Sequence, residues 1–441
     1  MRNLDLGQQD EPLEPGAIAR QADRRHQART LWLTGVLHAF THLYQVALLP
    51  LYLLIQKDLR LQGVGQATLL LTVLLVACFG PSYPIGVLAD RYNRKRMLAI
   101  GLAINGLGFA ALSLAPSYGW ALAAVVVAGL GGSFYHPAAT AMIARLFPRT
   151  TGKALGLVGI GAGAGFFVGP IYSGWRATML EPALGSAVWR RPVLELGLLG
   201  VAVSILFALL ADEERPATAP EHQRAEALFP TLPLWGFFGA YCFAFSLRDF
   251  AGAGMGSLGS LFLQKAHGFD PKLTGLALSG IYLAAIISNP LFGSLSDRGR
   301  KRWVTVAIIT AAAMIALLPH VPAHWIIPVY FLYGFFFMAS YPMTEAAIME
   351  AVPDSVRGRV FGLFVMTGGI LGNLSHWVAG VKVRQLGEAA ARPGSYFPLY
   401  AGLAVLLLLS LAGLFCLKPI RNREALQQAE QDNRPMPVVN H

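Results

Sequence analysis

Inside long apolar runs the sequence places a few side chains able to carry charge, hold protons or bind anions. His38 and His42 are four apart, which puts both imidazoles on one face of a helix, with Tyr44 and Gln45 beside them. His136 precedes Pro137, Arg248 and Asp249 are adjacent, and Tyr341 and Glu345 are again four apart. Asn373 and His376 follow in a later, less central run. A charged group at the centre of an apolar span costs about 2.5–3.5 kcal/mol by insertion scales, so such residues are functional candidates by default. A guanidinium fork suits a planar carboxylate or a phosphonate. These types predict a substrate-binding set of His38, His42, His136, Tyr341 and Arg248. Asp249, His136 and Glu345 are the candidate proton carriers. The spacing of His38 and His42 is one that metal ligands use, but no third ligand is evident, so neither metal nor cofactor is expected. No Gly-x4-Gly-Lys-Ser/Thr loop is present, which argues against a nucleotide-driven pump. No activated nucleophile appears either, so an enzyme is not expected.

The elements that must position these residues are membrane spans. Apolar residues make up 55% of the 441 and charged residues 13%, against about 25% charged in soluble domains. Windows of roughly 20 apolar residues recur, each able to cross a hydrocarbon core, and without strand-like alternation they read as helices. Spans are predicted at 31–54, 66–89, 97–115, 119–145, 152–175 and 190–211, then at 234–263, 273–295, 303–319, 324–350, 358–381 and 396–417. The fold class is therefore an all-α membrane protein of 12 helices in two six-helix halves, 31–211 and 234–417. A polar tail at 1–30, carrying a short interfacial helix at 17–29, a linker at 212–233 and a tail at 418–441 complete the chain. No cleavable signal is apparent. Cys78, Cys242 and Cys416 are scattered in separate apolar runs and read as small buried side chains.

The net charge of +11 does not point to nucleic acid, because the basic residues sit at span ends. Segments on the amino-terminal side hold 24 Lys and Arg, the opposite loops 10, and Arg248 lies within a span. That bias predicts both termini in the cytoplasm. Counting about 1.5 Å per residue from each span's cytoplasmic end puts His38 ~11 Å deep, His136 and Tyr341 ~14 Å, His42 ~17 Å, Arg248 ~21 Å and Glu345 ~8 Å. The first four and Arg248 are then expected to ring one pocket, with Glu345 nearer the inner mouth. Neighbours on a helix point about 100° apart, so Arg248 and Asp249 are expected to have different partners.

A hairpin between two spans, Gly86-Val-Leu-Ala-Asp90-Arg91-Tyr-Asn-Arg94-Lys95-Arg96, returns as Gly293-Ser-Leu-Ser-Asp297-Arg298-Gly-Arg300-Lys301-Arg302, its Gly and Asp displaced by 207 residues. The segments around Tyr135-His136-Pro137 and Tyr341-Pro342 repeat likewise, each followed by a Gly-basic pair, Gly152-Lys153 and Gly358-Arg359. This duplicated hairpin resembles the signature loop of major facilitator superfamily transporters, built from two parallel halves. The resemblance covers residues 31–417 and implies that Gly86, Asp90, Arg91, Arg94, Gly293, Asp297 and Arg298 form a cytoplasmic gate. The two Gly are expected to let helices approach closely, and the two Asp to accept from a following helix start. Asn93 stands where the family has glycine, and the second copy is one residue shorter.

Gly156, Gly165, Gly169, Pro170 and Gly174 on the fifth span look like the glycine-proline pattern of drug and proton antiporters, with Ser173 replacing one glycine. The antiporters' span-4 arginine is Val125 here, so protons need another route. His38-Ala-Phe-Thr-His42-Leu-Tyr-Gln45, Gly131-Gly-Ser-Phe-Tyr-His136-Pro137 and Leu247-Arg248 resemble the fosmidomycin-resistance branch, departing at His42 and Ala138, where acids are common. The resemblance implies an alternating-access secondary transporter of a bacterial inner membrane, a monomer in lipid. Its expected function is export of a small anionic or amphipathic organic substrate in exchange for protons. An uptake symporter of an organic anion and a membrane-embedded sensor are the alternatives.

Overall fold

The computed structural model describes residues 15–148, 150–212, 228–353 and 356–422, with side chains from residue 26 on, that of Asp90 excepted. Among them there is no strand. The first half comprises α1 (Pro15–Val46), α2 (Tyr52–Asp58), α3 (Val64–Phe79), α4 (Ser82–Arg91), α5 (Arg94–Ser113), α6 (Tyr118–Gly132), α7 (Tyr135–Leu146), α8 (Thr151–Leu184) and α9 (Arg190–Leu210). The second comprises α10 (Leu232–Ala266), α11 (Pro271–Ser296), α12 (Arg300–Leu317), α13 (Ile326–Glu350), α14 (Arg357–Leu386), α15 (Phe397–Leu409) and α16 (Gly413–Arg421). Each of the twelve expected spans falls on helix. Four are split where Pro50, Pro81, the Gly131-Gly132-Ser133 run or a short 3-10 turn at Ser410–Ala412 interrupts the ladder. The helix expected at 17–29 is continuous with the first span. Most of the linker, 213–227, and residues 423–441 lie outside the described residues.

Among the described residues nine stretches are long and apolar enough to cross a membrane, and one of them, Thr151–Leu210, contains both α8 and α9. α10 and α14 are not among the nine, yet run 35 and 30 residues. Polar residues at their centres explain the difference. Large apolar side chains cover the outside, Leu209 being 75% exposed and Phe415 and Leu114 each 70%, as a lipid-facing surface requires.

Both halves pack alike. α1 lies on α8, α3 on α6 and α5 on α9; α10 lies on α14, α11 on α13 and α12 on α15. Between the halves α8 packs on α11 and α3 on α14. Close approach at these seams depends on missing side chains: a Cβ on Gly165 would strike the backbone of Ala39, and one on Gly275 the backbone of Pro170. Two ion pairs mark the two ends of the bundle. Arg29 and Thr30 both bond Asp212, at 3.0 Å each, on the side where the chain begins. At the far side the Trp189 indole and Arg190 donate to Asp58 at 2.9 and 2.8 Å.

Candidate functional site

Polar side chains gather in two clusters, one in each half. In the first, α1 carries His38 and His42 on one face, and the start of α7 brings His136 against them. His38 and His42 approach at 3.0 Å between Nε2 atoms. The His136 ring centre lies 5.4 Å from His38 and 5.3 Å from His42. Pro137 is tolerated here because the first turn of α7 has no intrahelical use for its missing N–H. His38 Nδ1 donates to the Val158 carbonyl at 3.0 Å and His42 Nδ1 faces Gln45 Oε1 at 3.0 Å. Tyr135 stacks on His38 at 4.6 Å and donates to the Thr34 carbonyl. The depth count puts His136 near the α1 pair, and the structure brings the three imidazoles together.

In the second cluster Arg248, on α10, is 1% exposed. Its Nε and Nη2 donate to Asp249 Oδ1 at 3.0 and 2.8 Å. Nη1 donates to Thr344 Oγ1 at 2.5 Å on α13, and the guanidinium sits 3.9 Å over the Tyr341 ring. Two expectations are corrected here. Arg248 and Asp249 are partners, because the long arginine arm folds back around the helix to reach its neighbour's short carboxylate. Nor is Arg248 some 13 Å deeper than Glu345, since it bonds Thr344, the residue beside Glu345. α10 spans about 52 Å at 1.5 Å per residue, longer than a bilayer core. Counting from its first residue therefore overstated the depth. The residues of the expected ring thus fall in two groups, one in each half, and between the halves Phe166, 4.3 Å from His42, stacks at 4.7 Å on Tyr282.

A third polar group, of which the sequence singles out Asn373 and His376, ties the halves on the far side. Tyr52 bonds Ser257 at 2.7 Å, Ser257 bonds His376 Nδ1 at 2.7 Å, and His376 Nε2 meets Asn373 Oδ1 at 3.2 Å. Thr72 Oγ1 donates to the Asn373 carbonyl at 2.9 Å and accepts from the Trp377 N–H at 3.0 Å. Those two backbone groups are four residues apart, so a hydroxyl from α3 occupies a rung of the α14 ladder. Thr and Ser in apolar runs give no signal of such a role.

The hairpin residues sit at the other end. The Asp90 side chain lies outside the described residues. Asn93 caps α5, accepting from Arg96 N at 3.0 Å. In the second copy Gly299 occupies the cap of α12, while exposed Asp297 pairs with Arg300 at 3.7 Å. Arg300 also pairs with Glu350, within its own half. Arg91 and Arg298 are exposed and Arg94 is buried. The close approach expected of the hairpin glycines is absent: a Cβ on Gly86 would meet only Pro137 Cβ at 3.9 Å, and one on Gly293 nothing. On α8, Gly165 and Gly169 pack against α1, and Pro170 and Gly174 against α11, whereas Gly156 faces open space. A cavity of about 320 Å³, lined by Gly65, Gln66, Trp377, Val381, Arg384 and Gln385, lies at the far rim, away from both clusters.

The profile of the Major Facilitator Superfamily matches residues 31–376. The chain is 23% identical over 388 residues to the fosmidomycin resistance protein of Escherichia coli (strain K12), covering 86% of this chain and 92% of that protein. It is 26% identical over 314 residues to the multi-drug resistance efflux pump PmrA of Streptococcus pneumoniae serotype 4, covering 68% and 75%. A crystal structure of a bacterial homolog of the human lysosomal transporter Spinster, inward-facing and unoccupied, superposes with a TM-score of 0.67. Identity to it is 16%, over 93% of this chain and 99% of that one.

Proposed function

The chain belongs to the major facilitator superfamily, a multi-pass membrane transporter of small molecules rather than an enzyme, and from that premise we propose proton-coupled export of a small anionic or amphipathic organic compound. The observation that carries alternating access is the asymmetry between the two ends. Inter-half hydrogen bonds and glycine seams lie at mid-depth or on the far side: Thr72 with α14, Tyr52 with Ser257, Gly174 with Pro271. Toward the side of the first residues, Gly152, Gly156, Gly159 and Gly163 on α8 share one face with nothing within 4 Å of an added Cβ, as do Gly358 and Gly362 on α14. This is the arrangement of a cavity open on the hairpin side. With both termini in the cytoplasm of an inner membrane, as the basic residues favour, it is an inward-open monomer. In the opposite state the bare glycine faces of α8 and α14 close, and the hairpins of Asp90 and Asp297 come to bear on that closure.

The cargo takes Arg248 and Tyr341 from one half and the imidazoles of His38, His42 and His136 from the other. Asp249 carries the proton, with His136 and Glu345 as relays. Export is supported by the resistance and efflux named for the two relatives. One observation favours a second direction. Asp249 already pairs with Arg248, so an anion taking Arg248 is best accommodated when a proton neutralises Asp249. Binding anion and proton together is the logic of an uptake symporter. Everted membrane vesicles loaded by counterflow separate the two: an imposed pH gradient drives substrate in opposite directions. Fosmidomycin, phosphonates and aromatic acids are the compounds to test, and no pH-driven movement of any of them defeats both readings.

A further inference from the structure

The imidazole cluster holds more than hydrogen-bond donors for a cargo. We infer that His38, His42 and His136 form a site for one divalent transition-metal ion that favours imidazole, such as Zn2+ or Co2+. Three nitrogens, one from each ring, lie within 4.8 Å of one another. Their protonation follows from their partners. A carbonyl oxygen only accepts, so His38 Nδ1, 3.0 Å from the Val158 carbonyl, carries its proton. Gln45 Oε1 likewise only accepts, so His42 Nδ1 at 3.0 Å carries one too. In neutral rings both Nε2 atoms then present bare lone pairs, and these face each other at 3.0 Å. Two lone pairs at that distance repel unless a cation lies between or beside them. An outer N–H held by a backbone carbonyl or side-chain oxygen, with the inner nitrogen free, is how metal-ligating histidines are set up.

Geometry and access agree. Metal–nitrogen bonds of about 2.0–2.1 Å at tetrahedral angles put ligand nitrogens roughly 3.4 Å apart. The closest pair is a few tenths of an ångström short of that, and the widest must close by about 1.4 Å, a ring rotation. Both His38 and His136 are partly exposed while His42 is buried, so the fourth position is open. Mg2+ and Ca2+ take oxygen ligands and are not expected here. Three neutral ligands leave the ion's charge uncompensated in a membrane interior, so an anion suits the open position. On the reading that the cargo is anionic, that anion is the cargo.

One arrangement competes. Gln45 Nε2 is buried without an acceptor. Were the amide rotated, it would donate to His42 Nδ1, His42 Nε2–H would donate to His38, and no ion would be needed. Titrating tag-free, EDTA-stripped full-length protein in detergent with CoCl2, without any cargo, decides between them. The expected result is one Co2+ per chain with visible ligand-field bands. His136→Gln weakens it tenfold or more, Gln45→Glu strengthens it, and Asp249→Asn in the other half leaves it unchanged. No saturable binding, or equal binding in His136→Gln, overturns the site. A measurement free of mutation gives a second arm: ZnCl2 should protect His38 and His136 from diethylpyrocarbonate, read by peptide mass, and absence of protection also overturns it. Transport plays no part in either readout, so the metal site and the direction of transport stand or fall separately.

Discussion

Replacing Asp249 with Asn keeps an acceptor oxygen beside Arg248 and removes only the charge. Arg248 Nε and Nη2 lie 3.0 and 2.8 Å from that carboxylate oxygen, and the arginine is 1% exposed. Unit charges about 4 Å apart attract by roughly 4 kcal/mol at an effective dielectric constant of 20. An anionic cargo must compete with this attraction or arrive with a proton that cancels Asp249. If only a third of it opposes binding, the handicap is about 1.4 kcal/mol, a factor of ten in affinity. Asp249→Asn should therefore bind methylphosphonate or benzoate at least tenfold more tightly than the wild type. On the symport reading it should also bind without the proton uptake that accompanies wild-type binding, whereas on exchange for protons neither protein takes one up as the anion binds. Calorimetric titration in two buffers of different ionisation enthalpy counts that proton directly. Stability should move the other way. Removing one partner of a buried pair outright costs about 3–5 kcal/mol; with the Asn oxygen still accepting, the loss is smaller, seen as a lower unfolding temperature that added anion restores. In vesicles the variant should exchange cargo but no longer accumulate it against a gradient. Equal affinity together with equal proton uptake in both proteins would refute the role of Asp249 as a displaceable counter-ion.

Arg248→Lys should keep the ion pair with Asp249 but lose the simultaneous reach to Thr344 on α13, weakening anion binding tenfold or more, about 1.4 kcal/mol, by calorimetry; unchanged affinity or a cationic cargo counts against it. Asp90→Asn should slow transport in vesicles while membrane insertion stays normal, and Asp297→Asn, at an exposed carboxylate paired with Arg300 at 3.7 Å, should slow it less. Thr72→Val removes two inter-half hydrogen bonds but lets Trp377 N–H return to the Asn373 carbonyl. The closed far side should lose about 1 kcal/mol, a roughly fivefold shift toward far-side opening, measurable as faster labelling of a cysteine introduced at Ser257.

Much of the architecture was legible because it is written locally. An apolar window reports a span wherever it sits, and the hairpins at Gly86 and Gly293 report two parallel halves by repetition. The imidazoles and Arg248 were legible for the same reason: each is costly in its own span whatever surrounds it. What a single sequence does not carry is the partner. The depth count put His136 near the level of His38 and His42, but that the rings touch follows only from α7 packing beside α1. Asp249 meets Arg248 because a flexible arm defeats the angular rule that separates neighbours on a helix. The depth of Arg248 was overstated because α10, at 35 residues, is longer than a bilayer core and was counted from its first turn.

Thr72 marks the limit most sharply. Its hydroxyl in an apolar run costs little, since on an isolated helix it can bond back to its own backbone. Nothing in its neighbourhood distinguishes it from Thr68, which does just that, donating to the Gly65 carbonyl at 3.2 Å. Yet Thr72 holds a rung of α14 in the other half. Under the alternating access proposed above, such a contact exists in only one state of the cycle, because its donor and acceptor belong to bodies that then separate. The residues most tied to alternation are therefore these cheap hydroxyls, whose alternative partners lie in their own helices. A buried arginine or histidine, by contrast, needs a partner in every state, and so announces itself.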